Sequence, residues 1–398
     1  MTKTVAIIGA GTAGILSACY CCSNLGKGWA ITSIYDPSKK ILGIGESSNP
    51  SFISALEEAI NFNIHDDLPA LDATHKFGTK FINWREHDYL FPLIEGNCAI
   101  HFNNFKLQEL VFPRLKKAWP KKFSEILGSV SSVENKIDYV EVVVDNVTHK
   151  FDYVIDCRGF PEDYSDYHLV DTLPVNHCLV HNFNEPGEWK YTGHRAHRNG
   201  WMFEIPLTTR KSYGYLYNDS ITTKDQALDD FSKEIGIDKT DWQGIEYKFK
   251  PFYSKNVFDG RIMKNGNRAI FFEPISATSI FSYDQANRIF IAYLIGQIKD
   301  VETVNKEFTN VAEAVIDIIC YFYHGGSIYD TDFWKYAQNI TASRVKDSKM
   351  LRVLVPEYKE ALRRDLPKSG PTWFWKAKDI LKFSEAFGYN YFKGNNNE

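Results

Sequence analysis

Residues 4–14 read Thr4-Val-Ala-Ile-Ile-Gly9-Ala-Gly11-Thr12-Ala13-Gly14, and the small apolar segment Ile15 to Cys22 follows. Thr4 to Ile8 is a β-branched run without polar alternation, the pattern of a strand buried on both faces of a parallel sheet. The segment after it suits a helix. Between the two, Gly9 permits a tight turn, Gly11 lets the backbone approach a pyrophosphate, and Gly14 lets helix and strand pack closely. Thr12 and Ala13 then present free N–H groups at the positive end of the helix dipole, where phosphate binds. A second strand, Ala30 to Tyr35, ends at Asp36, 22 residues beyond Gly14. A carboxylate at that distance hydrogen-bonds the ribose 2′-hydroxyl of an adenosine half. Strand, glycine turn, helix and acid together predict an α/β dinucleotide-binding fold.

The rest of the chain sets bounds on that reading. With 398 residues, a large core in two interlocked parts is expected. Aromatic residues make up 15%, a high share that suits a pocket with flat walls for a planar ligand. A net charge of −4 argues against a nucleic-acid surface, and Lys116-Lys117 and Lys121-Lys122 read as a solvated helix face. Seven scattered cysteines, three of them at Cys19, Cys21 and Cys22, form neither a disulfide framework nor a zinc knuckle. They read as small core residues in a reducing compartment, and no metal site is expected. The first strand begins at residue 4 with no signal peptide before it, and Ala312 to Tyr323 is too short to span a bilayer. A cytoplasmic protein without membrane contact is the expectation.

Further along, Gly43-Ile-Gly45-Glu46 forms a glycine-rich loop, and Asn49-Pro50 opens a helix through Asn61 as N-cap and first helical residue. A strand with period-2 alternation runs from Phe77 to Trp84, with Lys76 at its mouth. Taken alone, Lys76 reads as an exposed lysine at a strand start. A helix begins at His101 and reaches about Trp119, and Tyr139–Val144 and Thr148–Asp152 form a hairpin around Asp145-Asn146. Tyr153 to Asp156 is a second buried strand, leading to Gly159, and it favours FAD over NAD. Val175 to Tyr217 reads as antiparallel strands. Thr278 and Ser279 fall at a helix start after the apolar run Ala269 to Phe272, where their N–H groups are candidate anion ligands.

Several of these stretches together resemble the flavin-dependent halogenases of the tryptophan-halogenase type. The matching segments are Gly43-Ile-Gly45-Glu46, Thr-His-Lys76-Phe-Gly with Phe-Ile-Asn-Trp84, and Asp156-Cys-Arg-Gly159-Phe. Gly-Trp201-Met-Phe203-Glu-Ile205-Pro206 is similar to the family's Trp-x-Trp-x-Ile-Pro signature, with phenylalanine at the second aromatic position. Phe-Phe-Glu-Pro274 leading to Thr278-Ser279 resembles its halide loop, and Tyr323-His-Gly-Gly with Asp332-Phe-Trp334 a late segment. The resemblance spans residues 4 to 336.

It implies a Rossmann-like three-layer FAD-binding core over 1–300, an antiparallel sheet on the substrate side at about 161–255, and a small helical subdomain over 301–398. Reduced FAD from a separate NAD(P)H-dependent reductase, with O2, would oxidise chloride, bromide or iodide to hypohalous acid. Lys76 would be the catalytic residue that directs the halogen onto an aromatic carbon, hydrogen-bonding the acid as an ammonium or forming a haloamine. The resemblance places FAD on Gly9, Gly11, Thr12, Ala13, Gly14, Asp36, Gly43, Gly45, Glu46, Asp156 and Gly159. It places halide on Thr278 and Ser279, and a wall beside flavin and tunnel on Trp201, Phe203, Ile205, Pro206 and Pro274. The family's glutamate, two residues after the proline of the halide loop, is Ser276 in this chain. That departure favours a phenol, an indole or a larger aromatic molecule over free tryptophan. A homodimer is the default assembly. A flavin monooxygenase of the same fold and a non-catalytic flavin-binding homologue are the competing readings.

Overall fold

The non-alternating run at the start forms β1 (Lys3–Ile8), and the glycine turn carries it into α1 (Thr12–Asn24) and β2 (Trp29–Tyr35). These and the elements below come from a computed structural model that describes residues 2–39, 41, 43, 46–93, 98–348 and 351. Gly45, and residues 349–350 and 352–398 of the expected helical subdomain, lie outside the described residues. After β3 (Glu46–Ser47), the Asn49 side chain accepts from Phe52 N–H at 3.1 Å and Pro50 opens α2 (Pro50–Ile60), as read from the sequence. The stretch around Lys76 supplies two strands, β4 (Thr74–Lys76) and β5 (Gly78–Ile82). They are followed by β6 (Tyr89–Pro92) and β7 (Ala99–Phe102). The next helix, α3 (Asn104–Ala118), starts later than expected, because His101 and Phe102 pair with Ser47 and Glu46, and Asn103 caps the helix.

Next come β8 (Phe123–Leu127), β9 (Val130–Asn135) and the expected hairpin of β10 (Val140–Val144) and β11 (Val147–Phe151). It turns at Asp145 and Asn146, which hold φ of 45° and 66°. β12 (Tyr153–Asp156) returns to lie parallel beside β1. The middle contributes β13 (Tyr167–Leu169), β14 (His177–Phe183), β15 (Thr192–His197), β16 (Gly200–Pro206), β17 (Lys211–Tyr217) and α4 (Lys224–Ile235). Then follow β18 (Ile245–Lys248), β19 (Phe252–Ser254), β20 (Phe258–Asp259), β21 (Ile262–Lys264) and β22 (Ile270–Phe271). The described helices end with α5 (Thr278–Leu294), α6 (Val301–His324) and α7 (Asp332–Asp347).

Three layers result. The central six-stranded sheet has the order β20-β21-β12-β1-β2-β8, parallel except at β20. Val5 and Ile7 of β1 point to the helices, where α1 packs against α2, α3 and α5. Ala6 and Ile8 point to the other side, where the β9–β11 sheet covers them with Val140, Val142 and Val144. Both faces of β1 are therefore dry, as its unbroken apolar run requires. A seven-stranded sheet ordered β18-β14-β17-β16-β15-β5-β6 stands alongside. It is antiparallel except where β15 meets β5, and it draws β5 and β6 from well before residue 161. The small β3-β7-β4 sheet sits at the joint.

Candidate active site

A cavity of about 850 Å³ opens at the carboxyl ends of β1 and β2 and extends between the two large sheets. That is the place where doubly wound sheets bind ligands, and the volume lies in the upper range of ligand pockets. Gly9, Gly11, Thr12 and Ala13 form its floor, and Asp36, Glu46 and Gly159 stand on its walls. Gly9 holds φ of +106°, and a Cβ there would meet Cys157 O at 2.7 Å. A Cβ on Gly11 would meet nothing within 4 Å, so the turn is open on the cavity side. No side chain caps α1. Thr12 and Ala13, the first residues of α1, line the cavity there, and a helix start offers N–H groups to an anion.

Other residues singled out from the sequence stand behind the wall. A Cβ on Gly14 would lie 2.0 Å from Gly9 O, so this glycine joins helix to turn. Gly43 lies against the Phe105 ring. The Asp156 carboxylate is taken by Arg158, through Nε at 2.9 Å and Nη2 at 2.8 Å, and by Arg268 Nε at 3.4 Å. The backbone after it, Cys157 to Phe160, reaches the cavity in its place.

At the far end Phe203, Ile205 and Pro274 line the cavity, whereas Trp201 and Pro206 do not. Trp201 is shut in by Trp84 and His194, and its Nε1–H donates to Tyr323 Oη at 2.5 Å. Tyr323 in turn donates to Glu273 Oε2 at 2.6 Å. Burial pushes the Glu273 carboxyl up to about 8. Ser276 and Ala277 both hold left-handed backbone, φ 59° and 57°, and together bring the start of α5 to the cavity. Ser279 and Ala277 line it there. Thr278 is turned inward, its hydroxyl on Glu273 O at 3.4 Å and its N–H on Ile275 O.

Lys76 is where the sequence taken alone misleads. The residue is 2% exposed, because β4 pairs with β7 at the joint of the two large sheets. Its Nζ donates to Ser47 Oγ at 2.8 Å and to Ser48 O at 3.0 Å. Ser47 lines the cavity, so the amine lies one side chain behind its wall. Burial lowers its pKa to about 7. The titratable neighbours that feel its charge are His101 and His194, both buried and both held well below the usual histidine range by burial first and by Lys76 second. Near neutral pH the site therefore holds a substantial share of neutral amine.

Sequence reasoning missed Ser47, Thr192, Arg158, Phe160 and Tyr283, which all line the cavity, and His101, which contacts Thr192 behind it. Ser47 adjoins Glu46 in the glycine-rich loop, a position that could have drawn attention to it. His101 of the small sheet and Thr192 of the large one are 91 residues apart, meet only where the two sheets adjoin, and carry no local signal.

A family model described as tryptophan halogenase matches residues 4–126 and 123–354. The chain belongs to that family. This halogenase is 22% identical over 449 residues to tryptophan 6-halogenase ThaL of Streptomyces albogriseolus, covering 92% of this chain and 83% of the relative. It is 22% identical to tryptophan 7-halogenase RebH of Lentzea aerocolonigenes, covering 83% and 78%. Among solved structures, the fold is similar to a tryptophan halogenase from Shewanella frigidimarina NCIMB 400, with TM-score 0.82, 18% identity and coverage of 100% and 90%. It is likewise similar to BrvH, a flavin-dependent halogenase from Brevundimonas sp. BAL3, with TM-score 0.78, 18% identity and coverage of 97% and 90%.

As a flavin-dependent halogenase the protein is an oxidoreductase that uses FAD and a halide. The residues present fit the flavin dinucleotide, on the open Gly11 turn, the uncapped helix start and the length of the cavity. Among the described residues no helix is long and apolar enough to cross a membrane, and no group of three or more His, Cys, Asp or Glu is placed to hold a metal ion.

Proposed function

We propose that this halogenase makes hypohalous acid at its flavin and passes the halogen to Lys76 for electrophilic substitution on an electron-rich aromatic ring. The observation that carries the reading is the Lys76 amine itself, buried behind Ser47 with its pKa lowered to about 7. In this reading the Gly9–Ala13 turn holds the pyrophosphate and Asp36 the ribose, while Glu46, Arg158 and Gly159 contact the rest of FAD. Bound reduced FAD supplies the oxidising step, in which FADH2, O2, halide and a proton give FAD, hypohalous acid and water. Ser279 and the backbone at Ala277 hold the halide at the positive end of α5. Phe203, Ile205 and Pro274 form a rigid apolar wall that keeps water and organic substrate from the oxidising end.

The neutral Lys76 amine then attacks the halogen of the acid. An N–halogen bond forms, the halogen–oxygen bond breaks, and the oxygen leaves as water with the amine's proton. The haloamine passes the halogen to an aromatic carbon, which loses its own proton, and the amine is regenerated. Burial favours this route over the ammonium alternative, since an ammonium has no lone pair to offer. Glutamate is absent at Ser276, so the ring must carry its own activation. We infer a phenol, an indole or a larger aromatic substrate, and a separate NAD(P)H-dependent reductase as the source of reduced flavin.

The test is a mass-spectrometric screen with FAD, a flavin reductase, NADH and O2, giving chloride, bromide or iodide in parallel against phenols and indoles. Products shifted by the halogen mass, and absent with Lys76→Ala, are expected. Halogenated product made equally well by Lys76→Ala would remove the lysine from the mechanism.

A further inference from the structure

The polar contacts behind Ser47 form a line. Beyond the Lys76–Ser47 contact, Ser47 Oγ lies 2.8 Å from Thr192 Oγ1, and Thr192 Oγ1 lies 2.9 Å from His101 Nε2. On the other side of the ring, His101 Nδ1 is 3.1 Å from Thr74 Oγ1, and Thr74 donates to Pro206 O at 2.7 Å. The last contact orients all the others. A carbonyl only accepts and a hydroxyl has one proton, so Thr74 spends its proton on Pro206 and accepts from His101 Nδ1–H. His101 is fully buried and neutral, so its Nε2 carries no proton and accepts from Thr192. Thr192 accepts from Ser47, and Ser47 from Lys76. Every proton in the line points away from the amine.

A neutral amine has two N–H groups and one lone pair. Ser47 and Ser48 take the two N–H groups. If the Ser47 proton were free it would turn to the lone pair and occupy it. Resting on the reading of Lys76 above, we propose that Thr192, His101 and Thr74 are positioning residues that hold the Ser47 hydroxyl proton away from Lys76 and so keep the amine lone pair free to accept halogen. The titratable groups around that amine are His101 from β7 and His194 from β15, both neutral. Glu46, beside Ser47, stands on the cavity wall.

The test follows the Lys76 amine directly. In protein labelled with 15N-lysine, the Lys76 Nζ signal, assigned by its loss in Lys76→Met, is titrated against pH without any substrate. Thr192→Val keeps the shape and removes the hydroxyl, so the Ser47 proton turns to the lone pair and favours the uncharged amine. The midpoint falls by about one pH unit, the equivalent of one hydrogen bond gained by the neutral form. Bromination of indole with bromide, reduced FAD and O2 nevertheless slows roughly tenfold, because that same hydrogen bond must be broken before attack. Thr192→Ser restores both, and His101→Phe, which cuts the line further out, moves both in the same direction. An unmoved midpoint in Thr192→Val, or a lowered midpoint with full bromination, overturns the inference and leaves the role of Lys76 standing. Full bromination by Lys76→Met overturns both together.

Discussion

Tyr323 and Glu273 share a hydrogen bond of 2.6 Å in a fully buried shell, and Trp201 donates to the same tyrosine oxygen. The contact ties α6 to the loop before α5, and among the described residues neither side chain meets a cation. Glu273 is thus an acid that the fold favours protonated, with its pKa raised from 4.5 to about 8. Between those two values the folded chain binds more protons than the unfolded one, so stability declines as pH rises. Glu273→Gln has no such slope. Denaturant melts of the two proteins from pH 5 to pH 9 should show wild type losing ground to the variant, by at most about 5 kcal/mol. Parallel curves would show that Glu273 is charged in the native state.

For Lys76 the slope has the opposite sign. Its folded pKa lies near 7 and its ordinary value is 10.5, so the unfolded chain binds the extra proton between them and wild-type stability rises with pH over that window. Lys76→Met should be the more stable protein at pH 6, by about 3 kcal/mol after loss of two hydrogen bonds, with the gain closing towards pH 10. Its halogenation should drop at least roughly a hundredfold. A variant less stable than wild type at pH 6 contradicts the buried-amine description.

Two glycines of one turn separate packing from ligand contact. Gly14→Ala drives a Cβ into Gly9 O, so α1 must shift, and a loss of about 3 kcal/mol is expected on thermal melting. Gly11→Ala meets nothing in the protein and should leave the melt within about 0.5 kcal/mol. Its FAD dissociation constant should rise roughly tenfold or more, because the added methyl occupies the space for a pyrophosphate. Equal FAD affinity in Gly11→Ala and wild type would move the phosphates elsewhere.

Asp36 lies at the exposed rim of the cavity, its carboxylate held low by the Ser38 hydroxyl at 2.6 Å and the Ser38 N–H at 2.9 Å. Asp36→Ala should weaken FAD roughly tenfold in fluorescence titration and leave the choice among chloride, bromide and iodide unchanged. Unaltered flavin affinity would exclude a ribose contact.

At the start of α5 the two adjacent hydroxyls divide. Ser279→Ala should raise the halide KM several-fold with kcat little changed, since only Ser279 faces the cavity. Thr278→Val should act on stability, through its lost contact with Glu273 O. A larger halide effect from Thr278 than from Ser279 would reverse the assignment.

What the sequence disclosed follows from what is local. The β1 turn, Asp36, the Asn49-Pro50 helix start and the hairpin at Asp145-Asn146 are each set within a dozen or so residues, by sterics, capping and turn chemistry. Burial of Lys76 is not local. It depends on β7, more than twenty positions away, pairing with β4, and the local sequence alone reads as an exposed lysine. Thr192 and His101 were equally invisible. Asp156, Thr278 and Trp201 show the converse. Their motifs fall at the site, but at these positions the side chains serve the frame, and backbone or an adjacent residue meets the cavity.

The change of sheet at Phe77 has a consequence for how this enzyme can vary. Lys76 closes the small sheet that also carries Glu46 and Ser47, while Gly78 opens the large sheet that runs on to β14 and β18. Phe77 is pinned between them, its N–H on Lys190 O and its carbonyl on Leu93 N–H, both at 2.8 Å. The Lys76 nitrogen is thus referenced to the small sheet with Ser47, while Phe203 and Ile205 of the cavity wall are referenced to the large one. If Lys76 carries the halogen as proposed, the outer strands of the large sheet can change over generations without disturbing its seat, whereas β15, which brings Thr192 to Ser47, cannot.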